Sequence, residues 1–190
     1  MWQTLNYKLT SDSPLIMHSG RTANPLDPMS KALKAISGKR VKTDADHAEM
    51  ARLEFLAGLY WTAAGPVIPA ANIDAMLINA ARKSREGSAA QSGVFCQSDA
   101  IMGYTGPRTT DELWADERFR HVAIVRVQTA RVVRTRPIFH EWTATVTVQF
   151  EDSVINASRV DEWFHVAGRL IGLGDWRPKF GRFSVERLTE

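Results

Sequence analysis

The chain carries a single cysteine, Cys96, in 190 residues, so no internal disulfide is possible and a reducing compartment fits. No run approaches the ~18 apolar residues of a membrane-spanning helix. The opening Met1-Trp-Gln-Thr-Leu-Asn-Tyr-Lys8 lacks the basic stretch and apolar core of an export signal. There is no internal repeat, low-complexity tract or clear linker. The histidines, His18, His47, His121, His140 and His165, show no metal-ligand spacing with one another or with Cys96. No serine or cysteine nucleophile has an evident base. These absences predict a soluble cytoplasmic protein that needs neither metal nor cofactor and no membrane.

What is present predicts one domain, residues 1–190, with a sizeable core. At 44% hydrophobic and 24% charged residues the composition is that of an ordinary globular protein. The net charge of +3 permits a polyanionic partner without demanding one. Charge placement says more. Lys31, Lys34, Lys39, Arg40 and Lys42 lie in an acid-free tract, and Arg126, Arg131, Arg134 and Arg136 form another. Acids gather in 44–54 and 111–117. Such segregation suits basic faces set against acidic ones, or solvated helix faces.

Periodicity outlines the elements. Gln3, Leu5, Tyr7 and Leu9 alternate with polar neighbours as a half-buried strand. Asp27 caps a short helix with Pro28 at its first position, stopped by Gly38. Asp44 or Asp46 caps a second helix running to about Tyr60. A short strand, 66–68, leads through Pro69 into a helix whose stripe is Ile73, Met76, Leu77, Ala80 and Ala81. Residues 86–93 read as a flexible loop, and 86–120 as an irregular insertion. Residues 121–135 read as one long strand, pairing with the clear alternating strand 142–150. Ser158 caps a last helix to about residue 171, and a final strand spans 183–188. This order is an α+β layout: a ferredoxin-like, RNA-recognition-like antiparallel sheet with helices on one face.

The most informative segment is the loop Gly172-Leu-Gly-Asp-Trp-Arg-Pro-Lys-Phe-Gly-Arg-Phe183. Gly172, Gly174 and Gly181 permit positive φ and close backbone approach to a ligand. Between them, Arg177 and Lys179 supply charge and Trp176 and Phe180 flat faces. Cations that neutralise phosphates and rings that stack bases together suit single-stranded nucleic acid. The bland alternative is a plain helix-to-strand connection.

Two motifs resemble the RAMP superfamily, the repeat-associated proteins of CRISPR systems. Gly65-Pro-Val-Ile-Pro-Ala-Ala-Asn-Ile-Asp-Ala-Met-Leu-Ile-Asn-Ala-Ala-Arg82 is similar to that family's strand, Ile-Pro turn and helix, where the turn opens a helix over bound RNA. The glycine loop is similar to its C-terminal signature, although Phe183 stands where a third glycine is usual. Within the family the chain looks most like the backbone subunit of CRISPR effector complexes. The resemblance implies guide RNA as ligand and side-by-side assembly along the strand, with other effector subunits as further partners. Single-stranded DNA offers the same phosphates and stacking faces. Ser13-Pro-Leu-Ile-Met-His-Ser-Gly20 falls where the family's first loop contacts RNA.

The expected contacts are Arg177, Lys179 and Arg182 to phosphate, with Arg131, Arg134 and Lys34 as second choices. The arginines of 131–136 equally suit a strand edge protected by charge. Trp176 and His18 are placed for bases or sugar; Arg21, in the same first loop, is a further nucleic-acid contact, and His18 beside it suits phosphate contact or turn structure. Asp27 is open to two roles, an N-cap before Pro28 or the loop aspartate with which some relatives cut RNA; capping is the simpler. A binder rather than an enzyme is expected. Relatives of this length are similar to ones carried by phages, which leaves a second function: a decoy that inhibits a host's antiviral effector through its subunit interface.

Overall fold

A computed structural model describes residues 1–189. In chain order it contains β1 (Trp2–Ser11), β2 (Leu15–Ile16), α1 (Pro28–Ser37), α2 (Asp44–Gly58), β3 (Trp61–Thr62), β4 (Gly65–Ile68) and α3 (Ala70–Ala81). These are followed by α4 (Gly87–Gly93), β5 (Val94–Cys96), β6 (Ala100–Gly103), α5 (Thr110–Ala115), β7 (Arg120–Val127), β8 (Ala130–Phe139), β9 (Thr143–Glu151), α6 (Ala157–Val166) and β10 (Phe183–Leu188). The chain folds as two compact units. One comprises Met1–Leu15, Trp61–Thr105 and the described residues from Phe139 onward, the other Ile16–Tyr60 and Gly106–Ile138.

The first unit holds a seven-stranded antiparallel sheet in the order β10-β1-β9-β6-β4-β3, with β5 also on β9. The alternation that predicts β1 and β9 is what builds it. Leu5, Tyr7 and Leu9 on β1 and Ala144, Val146, Val148 and Phe150 on β9 are buried, while Thr4, Thr10, Thr143 and Thr145 are exposed. α3 and α6 pack on each other, α3 also on β5 and α6 on β10, so both cover the apolar face. All five residues of the α3 stripe are buried. Tyr7 stacks on Phe164 of α6 with ring centroids 3.9 Å apart and donates its hydroxyl to Asp161 at 2.6 Å. The α+β class is therefore as expected, with the two helices on one face.

Several elements differ from the sequence expectation. Residues 121–135 are not one strand: the chain reverses at Gln128, where φ is +54°, and β7 pairs with β8 from Arg120↔Pro137 to Val127↔Ala130. This hairpin belongs to a separate sheet, β2-β8-β7, and not beside β9. A glutamine in left-handed backbone is an uncommon turn residue, so no Gly or Asn marked the reversal. The place beside β9 is taken by β5 and β6, from the segment read as irregular. Residues 87–93 form a helix rather than a loop. Ala90 and Gly93 are buried there, and a Cβ on Gly93 would stand 2.9 Å from Ile155, so packing overrides the weak helix propensity of a Ser-, Ala- and Gly-rich stretch.

In the second unit α1 packs on α2, and α2 on α5. Asp27 caps α1 as expected, its carboxylate accepting from the Met29 amide at 2.8 Å. The cap of α2 is Thr43, not Asp44 or Asp46; Asp46 completes the reciprocal capping box. Asn156, rather than Ser158, caps α6.

Candidate nucleic-acid interface

The glycine loop follows a π-helical turn, Ala167–Ile171, that ends α6. Gly172, Gly174 and Gly181 take φ of +74°, +75° and +73°. The purpose of two of them is internal. The Leu173 amide donates to the Gly181 carbonyl at 2.9 Å, and the Gly181 amide to the Pro14 carbonyl at 2.7 Å. A Cβ on Gly181 would overlap the Leu173 carbonyl, and one on Gly172 would meet the Phe180 carbonyl at 2.9 Å. Gly172 and Gly181 thus let the two ends of the loop close on each other, which corrects the expectation that all three serve ligand approach. Gly174 lines an open cleft.

That cleft, of about 630 Å³, is lined on one side by Gly174, Asp175, Trp176, Arg177 and Pro178. Leu170 and Ile171 of the π-turn, and Asn79, Arg82 and Lys83 at the end of α3, line the rest. Trp176 takes φ of +54° with its ring 6.1 Å from that of Phe180. A bulky residue in left-handed backbone is costly and persists only where its surroundings hold it. Lys179 lies outside the lining, with its ammonium 5.7 Å from the Phe180 ring centre. Arg182 is also outside; its amide donates to the Ser13 hydroxyl at 2.8 Å, and its carbonyl accepts from Asp12 and Ser13.

Arg82 and Lys83, which line this cleft, are not among the expected contacts. In sequence they sit at the end of a helix, where cations complement the dipole. The signal available was the acid-free run Arg82-Lys83-Ser84-Arg85 closing the helix of the first family motif.

The remaining candidates belong to the second unit. His18 and Arg134 line a cavity of about 310 Å³ together with Ser19, Thr22, Glu54 and Arg136. Arg134 is ion-paired with Glu54, whose other oxygen accepts the Thr135 amide at 3.2 Å. Arg21 donates to Asp27 at 2.8 Å and holds that carboxyl below its usual range, with help from the Met29 amide. Lys34 on α1 and Arg131 on β8 are exposed, and neither lines this cavity.

Ion pairing sorts the cations. Arg21, Arg52, Arg118, Arg120, Arg134, Arg159 and Arg187 each face a carboxylate. Among the described residues Arg82, Lys83, Arg85 and Arg177 do not; Arg82 bonds only the neutral Asn79 amide oxygen, at 3.0 Å. Several residues of the acidic tracts are paired inside the chain as well: Asp46 with Lys39, Glu49 and Asp111 with Arg52, and Glu117 with Arg120. Among the described residues no cluster of three His, Cys, Asp or Glu could hold a metal ion. No helix among them is long and apolar enough to cross a membrane. Burial pushes the Cys96 thiol up to about 11, which leaves it unreactive.

No protein-family model matches the sequence, and no curated protein does. Among solved structures, a similar chain occurs in a cryo-EM structure of the type III-B Cmr-beta bound to cognate target RNA. It is 13% identical, with a TM-score of 0.48, over 99% of this chain and 61% of that one. This chain thus spans about three-fifths of the length of that neighbour. A likeness at this level carries no argument about what the chain binds.

Proposed function

We propose that this protein binds single-stranded nucleic acid, RNA foremost, as a non-catalytic subunit of the CRISPR backbone type. The strand would cross the cleft between the glycine loop and the end of α3. The observation that carries this reading is the gathering of Arg82, Lys83 and Arg177, none of them in an ion pair among the described residues, around one cleft that holds a single acid, Asp175, beside the exposed ring of Trp176. Cations left uncompensated at one place are what a phosphate chain neutralises, and an aromatic wall beside them offers a base a stacking face. RNA is preferred over DNA because of the two family-like motifs, which meet at this cleft: the helix of the first ends in Arg82, and the second is the glycine loop itself.

The non-catalytic part of the reading rests on Asp27. Both its oxygens are engaged, one by Arg21 and the other by the Met29 amide, in the role of a helix cap. The reading is tested by purifying the protein without nuclease treatment and sequencing what accompanies it. Single-stranded RNA that is lost from an Arg82→Ala, Arg177→Ala double variant is the expected result. A protein that carries no nucleic acid and binds no labelled oligonucleotide at low salt refutes it.

A further inference from the structure

The cleft at the glycine loop has a neighbour. A second concavity, of about 260 Å³, is lined by Arg82, Arg85, Gly87, Ser88 and Gln91. Arg82 belongs to both. Its guanidinium is held by the Asn79 side chain at 3.0 Å. Its stem lies against Gly87, where an added Cβ would stand 2.6 Å from the Arg82 Cγ. One arginine is therefore fixed between two hollows, by an amide on α3 and by the missing side chain at the start of α4.

The second hollow shares the cationic character of the first, without its aromatic and apolar wall and without its acid, Asp175. Arg85 has no carboxylate partner, and Ser88 and Gln91 are exposed hydrogen-bonding side chains. No acidic residue lines it. A guanidinium with a hydroxyl and an amide around it suits an anionic oxygen group such as a phosphodiester. Two such hollows sharing one cation suit consecutive phosphates of one strand rather than separate small anions, because the shared charge is then used by the link between them.

We propose that Arg85, Ser88 and Gln91 form a second phosphate subsite. A single strand leaving the glycine-loop cleft continues across Arg82 and over the face of α4. The subsite is specific for the backbone and reads no base, since no ring lines it. This inference rests on the function proposed above.

The test is fluorescence anisotropy of labelled oligouridylates of two to ten nucleotides, across a range of salt. Arg85→Gly removes the charge and tolerates the φ of +65° at that position. Gln91→Glu places a carboxylate in the hollow from an exposed helix position. With wild-type protein, affinity rises with length beyond the dinucleotide. Arg85→Gly should lower affinity for the longer strands about fivefold at 0.1 M salt and reduce the slope of log K against log salt by about 0.7, one phosphate contact on a single strand. Gln91→Glu should lower it further, with unchanged circular dichroism in both variants. Dinucleotide binding should stay as in wild type, because the first cleft is intact. If wild type binds the longer strands and both variants match it at every length and salt, the second subsite is wrong and the first stands. If wild type binds none of the oligonucleotides, both fail together. Loss of dinucleotide binding in the variants also overturns the subsite, since the two hollows would then not be separate.

Discussion

Among single residues, two properties decide: whether a cation already has a carboxylate, and whether it lines the cleft. Arg134, a second-choice phosphate contact, and Arg21, a first-loop candidate, are each committed to an acid of their own unit, Glu54 and Asp27. Arg134→Ala should therefore destabilise the fold by about 1 kcal/mol, the order of a partly exposed charge-assisted bond, and leave oligonucleotide affinity unchanged. Arg82→Ala with Arg177→Ala should do the reverse: affinity falls on the order of 25-fold at 0.1 M salt and the salt slope by about 1.4, two contacts' worth. Melting curves and salt titrations separate the two effects. Lys179→Ala should cost less than Arg177→Ala, because Lys179 sits by Phe180 rather than in the cleft. Asp27→Ala should leave labelled RNA as intact as wild type does in magnesium; regular cleavage that vanishes in this variant would overturn the binder reading. Asp46 offers a test by pH. Lys39 first, then the Thr43 amide, lowers its carboxyl to about 2 from an ordinary 3.8. A lowered folded-state value means the stabilisation is present above about pH 4 and lost as pH falls towards 2. The stability difference between wild type and Asp46→Asn, read from urea midpoints, should shrink across that window.

Among elements, the glycine loop shows how one motif carries two kinds of information. Its glycines were legible as positions of positive φ, and all three are. Their purpose was not, because the carbonyls that crowd Gly172 and Gly181 belong to residues eight or nine positions along the chain. Gly181→Ala should destabilise by roughly 3 kcal/mol, from left-handed strain and overlap with the Leu173 carbonyl together; the drop in melting temperature checks it. Gly168, inside the π-turn, shows the overlap without the positive φ: a Cβ there would overlap the Phe183 carbonyl. The helices α3 and α6 were legible from their apolar spacing. The hairpin β7–β8 was not, since its turn uses Gln128 where turn chemistry favours glycine or asparagine. Helix α4 was not, since its packing on α3 and the burial of Gly93 against Val154 and Ile155 bring in distant residues.

For the whole molecule, folding rearranges the charge pattern that the sequence displays. The acidic tracts at 44–54 and 111–117 could in principle meet the basic blocks of a neighbouring copy. Asp46, Glu49, Glu54, Asp111 and Glu117 instead face cations of their own unit. We propose that copies assemble side by side through the strand they share. Native mass measurements on oligonucleotides of increasing length should show the number of bound copies rising with length, with no oligomer in the absence of the strand. A single bound copy at every length would sink assembly.

The sequence by itself determined the α+β class, the two helices on one face of an antiparallel sheet, and the loop where backbone, cations and an aromatic ring come together. Each follows from local patterns: period-2 and period-3.6 burial, and glycine at positions of positive φ. Only the tertiary structure decided which segments stand beside β9, which cations are compensated, and that the end of α3 faces the glycine loop. These are pairings between residues far apart in the chain. Ion pairs such as Glu54 with Arg134, and shared clefts such as that of Arg82 with Arg177, leave no periodic trace in the sequence.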